Sequence, residues 1–108
     1  MIETLKKLFG GTDTTDYGKL ISEGAVILDV RSGAEFAQGH IKNAMNIPVD
    51  QLERSLKKLG KNQLIITCCA SGMRSSSAKS LLESKGYTNV YNAGSWTSLR
   101  KYDNKNSN

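Results

Sequence analysis

The stretch Gln63-Leu-Ile-Ile-Thr-Cys-Cys-Ala-Ser-Gly-Met-Arg-Ser75 decides how this chain is read. Its first half, through Cys68, is the strongest strand signal in the sequence, an apolar and β-branched run bounded by polar residues. Its second half opens a loop at Cys69 and places Gly72 inside it. That loop leads into a helix expected from about Ser75 to Gly86, with Ala78, Leu81 and Leu82 inward. A buried strand that turns directly into a helix belongs to an alternating strand–helix chain, whose strands pair in parallel.

The same alternation continues in both directions. Thr14 to Glu23 reads as a helix with Tyr17, Leu20 and Ile21 on one face, stopped by Gly24. Ala25-Val-Ile-Leu28, ending in Asp29, is a short apolar run suited to a strand covered on both faces. Ser32 and Glu35 have the spacing of a capping box, so a short helix is expected between Ser32 and Gly39. Ala44-Met-Asn-Ile47 is a brief strand, and Pro48 suits the turn into a helix striped by Val49, Leu52, Leu56 and Leu59 and closed by Gly60. Asn89-Val-Tyr91 is the last strand expected, and Ser95 to about Lys101 the last helix. The fold class is α/β, with parallel pairing through crossovers.

With 108 residues the chain is long enough for one domain and its core. The expected organisation is an N-terminal amphipathic segment 1–11, one domain over 12–102, and a polar tail over 103–108. Ile2, Leu5, Leu8 and Phe9 repeat at helical spacing, which favours a helix packed on the domain over a membrane-surface anchor. That segment lacks the apolar core and cleavage site of a secretory signal, and no run approaches the roughly 20 apolar residues that span a bilayer. With Met1 taken as the natural start, a cytoplasmic protein without a membrane partner is expected; a monomer is expected as well. Fifteen Lys and Arg against ten Asp and Glu give a net charge of +5, but the basic residues are scattered without interleaved aromatics. Nucleic acid is not an expected partner.

The two cysteines, Cys68 and Cys69, are adjacent and cannot staple distant segments. One histidine and no CxxC pair leave a structural zinc site without ligands, so no metal is expected. In a reducing compartment these thiols are core residues or chemistry. Cys69 follows a strand and precedes a helix, and α/β sheets build their sites beyond the carboxyl ends of strands. The loop Ala70-Ser71-Gly72-Met73 leads to a helix N-terminus whose unpaired N–H groups and dipole stabilise a thiolate. Gly72 allows those N–H groups to converge, and Arg74 adds a permanent cation for an anionic substrate. Ser71 and Ser75 read equally as substrate contacts and as helix caps.

These residues resemble a family. Cys69-Ala-Ser-Gly-Met-Arg-Ser75 after an apolar strand is similar to the active-site loop of rhodanese domains. Leu28-Asp-Val-Arg31, Glu35-Phe36 and Gly39-His-Ile-Lys-Asn-Ala-Met-Asn-Ile-Pro48 resemble the family's first signature block. Lys85-Gly-Tyr-Thr-Asn-Val-Tyr-Asn92 and Ala93-Gly-Ser-Trp96 resemble its closing segment. The likeness covers roughly residues 14 to 100 and is nearest to the small stand-alone bacterial rhodaneses of the phage-shock type. It implies a three-layer α/β/α domain with a five-stranded, mainly parallel sheet. It also implies a double-displacement cycle through a Cys69 persulfide, with a donor such as thiosulfate or a persulfide and a thiophilic acceptor such as cyanide or a thiol, without cofactor. A protein that accepts the persulfide sulfur is a further expected partner. The family's frequent Gly-Gly pair is Ala93-Gly94 here, which bears on the shape of the pocket wall.

Competing readings accompany each residue. Counted from Cys68, the loop matches the cysteine-x5-arginine signature of phosphatases and related arsenate reductases; counted from Cys69, with both flanking blocks aligned, it matches the rhodanese loop. Cys68 then ends the strand as a small buried hydrophobe. A non-catalytic persulfide carrier or partner-binding module is the other alternative. A pocket role is preferred for Arg74 over a surface one, whereas Asp29, Arg31, Glu35 and His40 are expected to be scaffold near the site. Trp96 is expected in the core rather than as a substrate wall.

Overall fold

A computed structural model describes residues 14–106, so the segment expected over 1–11 lies outside the described residues. Helix α1 covers Tyr17–Ser22 and is capped by Asp16, whose carboxylate accepts from the Lys19 N–H at 3.0 Å. It feeds strand β1, Val26–Asp29, and then helix α2, Gly33–Gln38. The capping box at the start of α2 is present in full. Ser32 accepts from the Glu35 N–H, and Glu35 accepts from the Ser32 N–H. Strand β2 is only Met45–Asn46, strand β3 is Ile65–Cys69, and helix α3 is Met73–Ser84. Strand β4, Val90–Ser95, leads into helix α4, Arg100–Asn106.

The four strands form one sheet in the order β2-β1-β3-β4, parallel throughout. Side chains alternate across β3, and this alternation builds two cores. Ile65 and Cys69 enter one cluster with Leu28, Leu52, Leu59, Ala78 and Leu82, under α3. Ile66 and Cys68 enter the other with Ile27, Ile41 and Leu99, against which Leu20 and Ile21 of α1 and Tyr102 of α4 pack. The chain is therefore layered helix–sheet–helix, with the carboxyl ends of β1, β3 and β4 at one pole.

Three expectations need correction. A five-stranded sheet was implied by family resemblance, but the described residues form four strands, matching the four apolar runs in the sequence. The stripe after Pro48 is not an α-helix; it forms two 3₁₀ segments, Val49–Gln51 and Glu53–Lys58. Leu52 and Leu59 still reach the core, because a 3-4-3 spacing buries one face under either hydrogen-bond pattern. The last helix begins later and runs further than expected. A 3₁₀ turn over Trp96–Leu99 comes first, and α4 then continues through Asn106, into the stretch read as a tail. Tyr102 packs on the second core, and the Asp103 carboxylate accepts from the Lys42 N–H at 3.0 Å. These contacts hold a polar sequence in a helix.

Candidate active site

Cys69 ends β3 with its side chain in the α3-side core and no exposed surface. Gly72 turns the chain back with φ at +106°, a left-handed angle that favours glycine, and serves as the N-cap of α3. This turn aims two backbone donors at one atom. The Gly72 N–H reaches Cys69 Sγ at 3.0 Å and the Ser75 N–H reaches it at 3.3 Å. The fully buried Ser75 hydroxyl lies 3.4 Å from the sulfur and donates to the Gly72 carbonyl at 3.1 Å. In the thiol state Cys69 donates to that hydroxyl; once the sulfur is ionised, the hydroxyl is placed to turn and donate to it.

Two opposed effects act on the thiol. Burial pushes its pKa up, but hydrogen bonds from the Ser75 side chain and from the Ser75, Gly72 and Ser71 N–H groups outweigh burial and leave it below the ordinary value. Cys68 has the opposite fate. It faces the second core, fully buried, and burial followed by the nearby Asp29 charge pushes its thiol up to about 12. Neighbours in sequence thus occupy opposite electrostatic settings.

The remaining loop residues divide. Ala70 and Ser71 are exposed, and the apolar Met73 side chain of the same loop is 80% exposed. Arg74 is held in an ion pair with Glu35. Its Nη1 and Nη2 donate to Glu35 Oε1 and Oε2 at 2.7 and 3.1 Å. The Arg74 guanidinium, joined by the Ser32 N–H, holds the Glu35 carboxyl at about 2, well below the usual carboxylate range.

The other candidates brace the same pole. Arg31 grips Asp29 with Nε at 3.0 and 3.1 Å and Nη2 at 2.7 Å, both side chains being buried. Its Nη2 also donates to the Gly39 carbonyl at 2.7 Å. The Arg31 and Arg100 guanidinium carbons each lie 4.5 Å from the centroid of the Trp96 ring. His40 is exposed, stacks on Phe36 at 3.7 Å and donates through Nδ1 to the Phe36 carbonyl at 2.7 Å. None of these partners is the Cys69 sulfur.

Sequence reasoning missed several supporting residues. Asn46 donates to the Asp29 and Arg31 carbonyls at 3.0 and 2.9 Å, tying β2 to the strand end. Thr67 donates to the Ser75 carbonyl at 3.0 Å, fixing the first turn of α3 to the strand beneath it. The Ala93-Gly94 departure falls on a bulge, since Thr67 pairs with Asn92 but Cys68 pairs with Gly94. Gly94 has φ at +82°, and a Cβ on Gly72 would stand 3.4 Å from the Gly94 Cα. The bulge therefore forms a close backbone wall beside the loop. No sequence signal marked Asn46 or Thr67, whereas the glycine in Ala93-Gly94 was a visible cue for a bulge.

Among the described residues, no group of three or more His, Cys, Asp or Glu side chains is placed to hold a metal ion. No helix among them is long and apolar enough to cross a membrane.

Comparison with known proteins gives a consistent neighbourhood. The family profile described as "Rhodanese-like domain" matches residues 13–101. Thiosulfate sulfurtransferase PspE of Escherichia coli strain K12 is 35% identical over 69 residues, covering 62% of this chain and 66% of that protein. A putative sulfur carrier protein, YrkF of Bacillus subtilis strain 168, is 34% identical over 70 residues, covering 65% of this chain and 38% of that protein. The chain thus spans less than two thirds of the length of these curated relatives. A solved structure titled "rhodanese with anions from E. coli" superposes with a TM-score of 0.64 at 34% identity, covering 68% of this chain and 89% of that one.

Proposed function

The chain belongs to the rhodanese-like domain family, and from that premise we propose that it is a sulfurtransferase whose cycle passes through a persulfide on Cys69. The Cys69 thiolate attacks the outer sulfur of a sulfane donor. A new S–S bond forms, the donor's own bond to that sulfur breaks, and sulfite or a thiolate leaves with the electron pair. A thiophilic acceptor then attacks the outer sulfur of the persulfide, and Cys69 departs as the thiolate. The donors that lower the Cys69 pKa favour the thiolate, so this cycle asks for no general base at the attack step.

The observation that carries this reading is the convergence of the Gly72 and Ser75 N–H groups on one sulfur at 3.0 and 3.3 Å. Such donors stabilise an anion at that position, whether it is the attacking thiolate or the leaving thiolate of the second step. A phosphatase reading would need Cys68 as nucleophile, and Cys68 is buried on the other face of the sheet with its thiol pushed up to about 12. A narrower role as a sulfur carrier for a protein acceptor keeps the same chemistry at Cys69; the likeness to a protein named as a putative sulfur carrier favours it as the second reading.

Intact-mass measurement after incubation with thiosulfate or a persulfide tests the proposal. The parent should gain the mass of one sulfur atom, lost again on adding cyanide. Cys69→Ser should gain none, while Cys68→Ala, which leaves an apolar slot apolar, should still be loaded. Equal loss in both variants would overturn the assignment of Cys69.

A further inference from the structure

We propose that Glu35 sets the donor preference of this site by neutralising the loop's one cation, so that a hydropersulfide serves as a better sulfur donor than thiosulfate. This rests on the sulfurtransferase reading and adds the class of substrate to it. Between Cys69 and Ser75 the loop contains a single charged residue, Arg74. Both terminal nitrogens of its guanidinium already donate to the two oxygens of Glu35 in a bidentate pair at 2.7 and 3.1 Å. Glu35 is itself anchored: its Oε1 accepts from the Ser32 N–H at 3.1 Å, closing the cap of α2. The carboxylate is thus a fixed part of the pole, not a passing surface partner.

The chemistry of the two donor classes differs in what this arrangement must tolerate. Thiosulfate brings two negative charges toward a thiolate, and sulfite carries the same two away. Transfer leaves the thiolate's single charge on the Cys69 persulfide. A free guanidinium would offset that charge, but here a carboxylate stands against it and takes up two of its five N–H groups. A protonated hydropersulfide, RSSH, enters with no charge. Cys69 takes its outer sulfur as –SH, the RS–S bond breaks, and RS⁻ leaves, so the single charge of the thiolate passes to the leaving group. Such a donor asks nothing of Arg74. The apolar, exposed Met73 of the same loop suits an uncharged donor body in the same way.

Rates of Cys69 loading with thiosulfate and with freshly prepared 2-hydroxyethyl hydropersulfide, in the parent and in Glu35→Gln, test the inference. Glutamine preserves the capping box and the length of the side chain while removing its charge. Glu35→Gln should lower the KM for thiosulfate about three- to tenfold, an effect limited by the partial exposure of the pair, and change hydropersulfide loading by less than about twofold. Sulfate, as a competitive inhibitor of hydropersulfide loading, should tighten by the same factor as thiosulfate. An unchanged ratio between the donors, or equal losses for both with a lower melting temperature, would overturn the inference and leave Glu35 as a brace only. Loading of the parent by neither donor would overturn the sulfurtransferase reading as well, a result distinct from loading by both without a Glu35 effect.

Discussion

Removing the Ser75 hydroxyl separates the electrostatic role of the loop from its structural one. In Ser75→Ala, Cys69 Sγ keeps its backbone donors but loses the hydroxyl 3.4 Å away. A hydrogen bond to an ionised group contributes about 1.5–3 kcal/mol, against about 1 for a neutral one. The contact is long, and in the thiolate state the hydroxyl must leave the Gly72 carbonyl. The expected net loss to the thiolate is therefore about 1 kcal/mol, or about fivefold in its population at a pH well below the midpoint. Stability should barely change, because the Gly72 carbonyl keeps the Ser76 N–H at 3.0 Å and alanine suits a first helical turn. The assay is the rate of iodoacetamide alkylation against pH, read by intact mass in a Cys68→Ala background. Cys69 is fully covered, so access scales every rate, but it does not move the midpoint of the curve. The midpoint should rise in Ser75→Ala. An unmoved midpoint would refute the hydroxyl's part in stabilising the anion, and a fall would reverse the argument.

Two further perturbations test the scaffold and the second thiol. Asp29→Ala leaves the Arg31 guanidinium buried with only carbonyl acceptors and the Trp96 ring, and should cost about 3–5 kcal/mol in urea unfolding; a loss under about 1 kcal/mol would show that the pair does not hold the pole. Cys68 has its folded pKa raised to about 12, so the unfolded chain releases this proton first, and folding stability falls as pH rises from the ordinary thiol value toward 12. Cys68→Ala should remove about 1.4 kcal/mol of that loss per pH unit in urea unfolding at alkaline pH, and an identical slope in parent and variant would contradict the burial of this thiol.

Much of the frame was legible because the apolar runs were short, separate and bounded. The four strand segments, the α2 capping box and the opposite facing of Cys68 and Cys69 all follow from local pattern and the two-residue period of a strand. What pattern could not supply was any contact between distant polar residues. Arg74 and Glu35 are 39 positions apart, and nothing in either neighbourhood announces a bidentate pair. Asn46 is equally silent, since an asparagine that holds two carbonyls of another strand looks like any turn residue. The apolar stripe of Val49 to Leu59 encoded which face is buried but not whether the backbone closes on the third or fourth residue. The far end of the final helix is not legible in its polar composition, because the anchoring of Tyr102 and Asp103 comes from tertiary contacts alone.

The division of the two cysteines between the faces of β3 has a consequence for how long transferred sulfur stays in place. A thiol within reach of a persulfide attacks its inner sulfur, closes a disulfide and expels hydrogen sulfide. Cys68 is the only other cysteine of the chain, and the sheet itself stands between its thiol and the loop. Its proton, retained up to about 12, also denies it the nucleophilic form. On the proposed cycle, Cys68 therefore offers the loaded Cys69 no route for self-discharge. Its shelf life is then set by encounters with outside acceptors, and the supply of acceptor becomes the clock of the reaction.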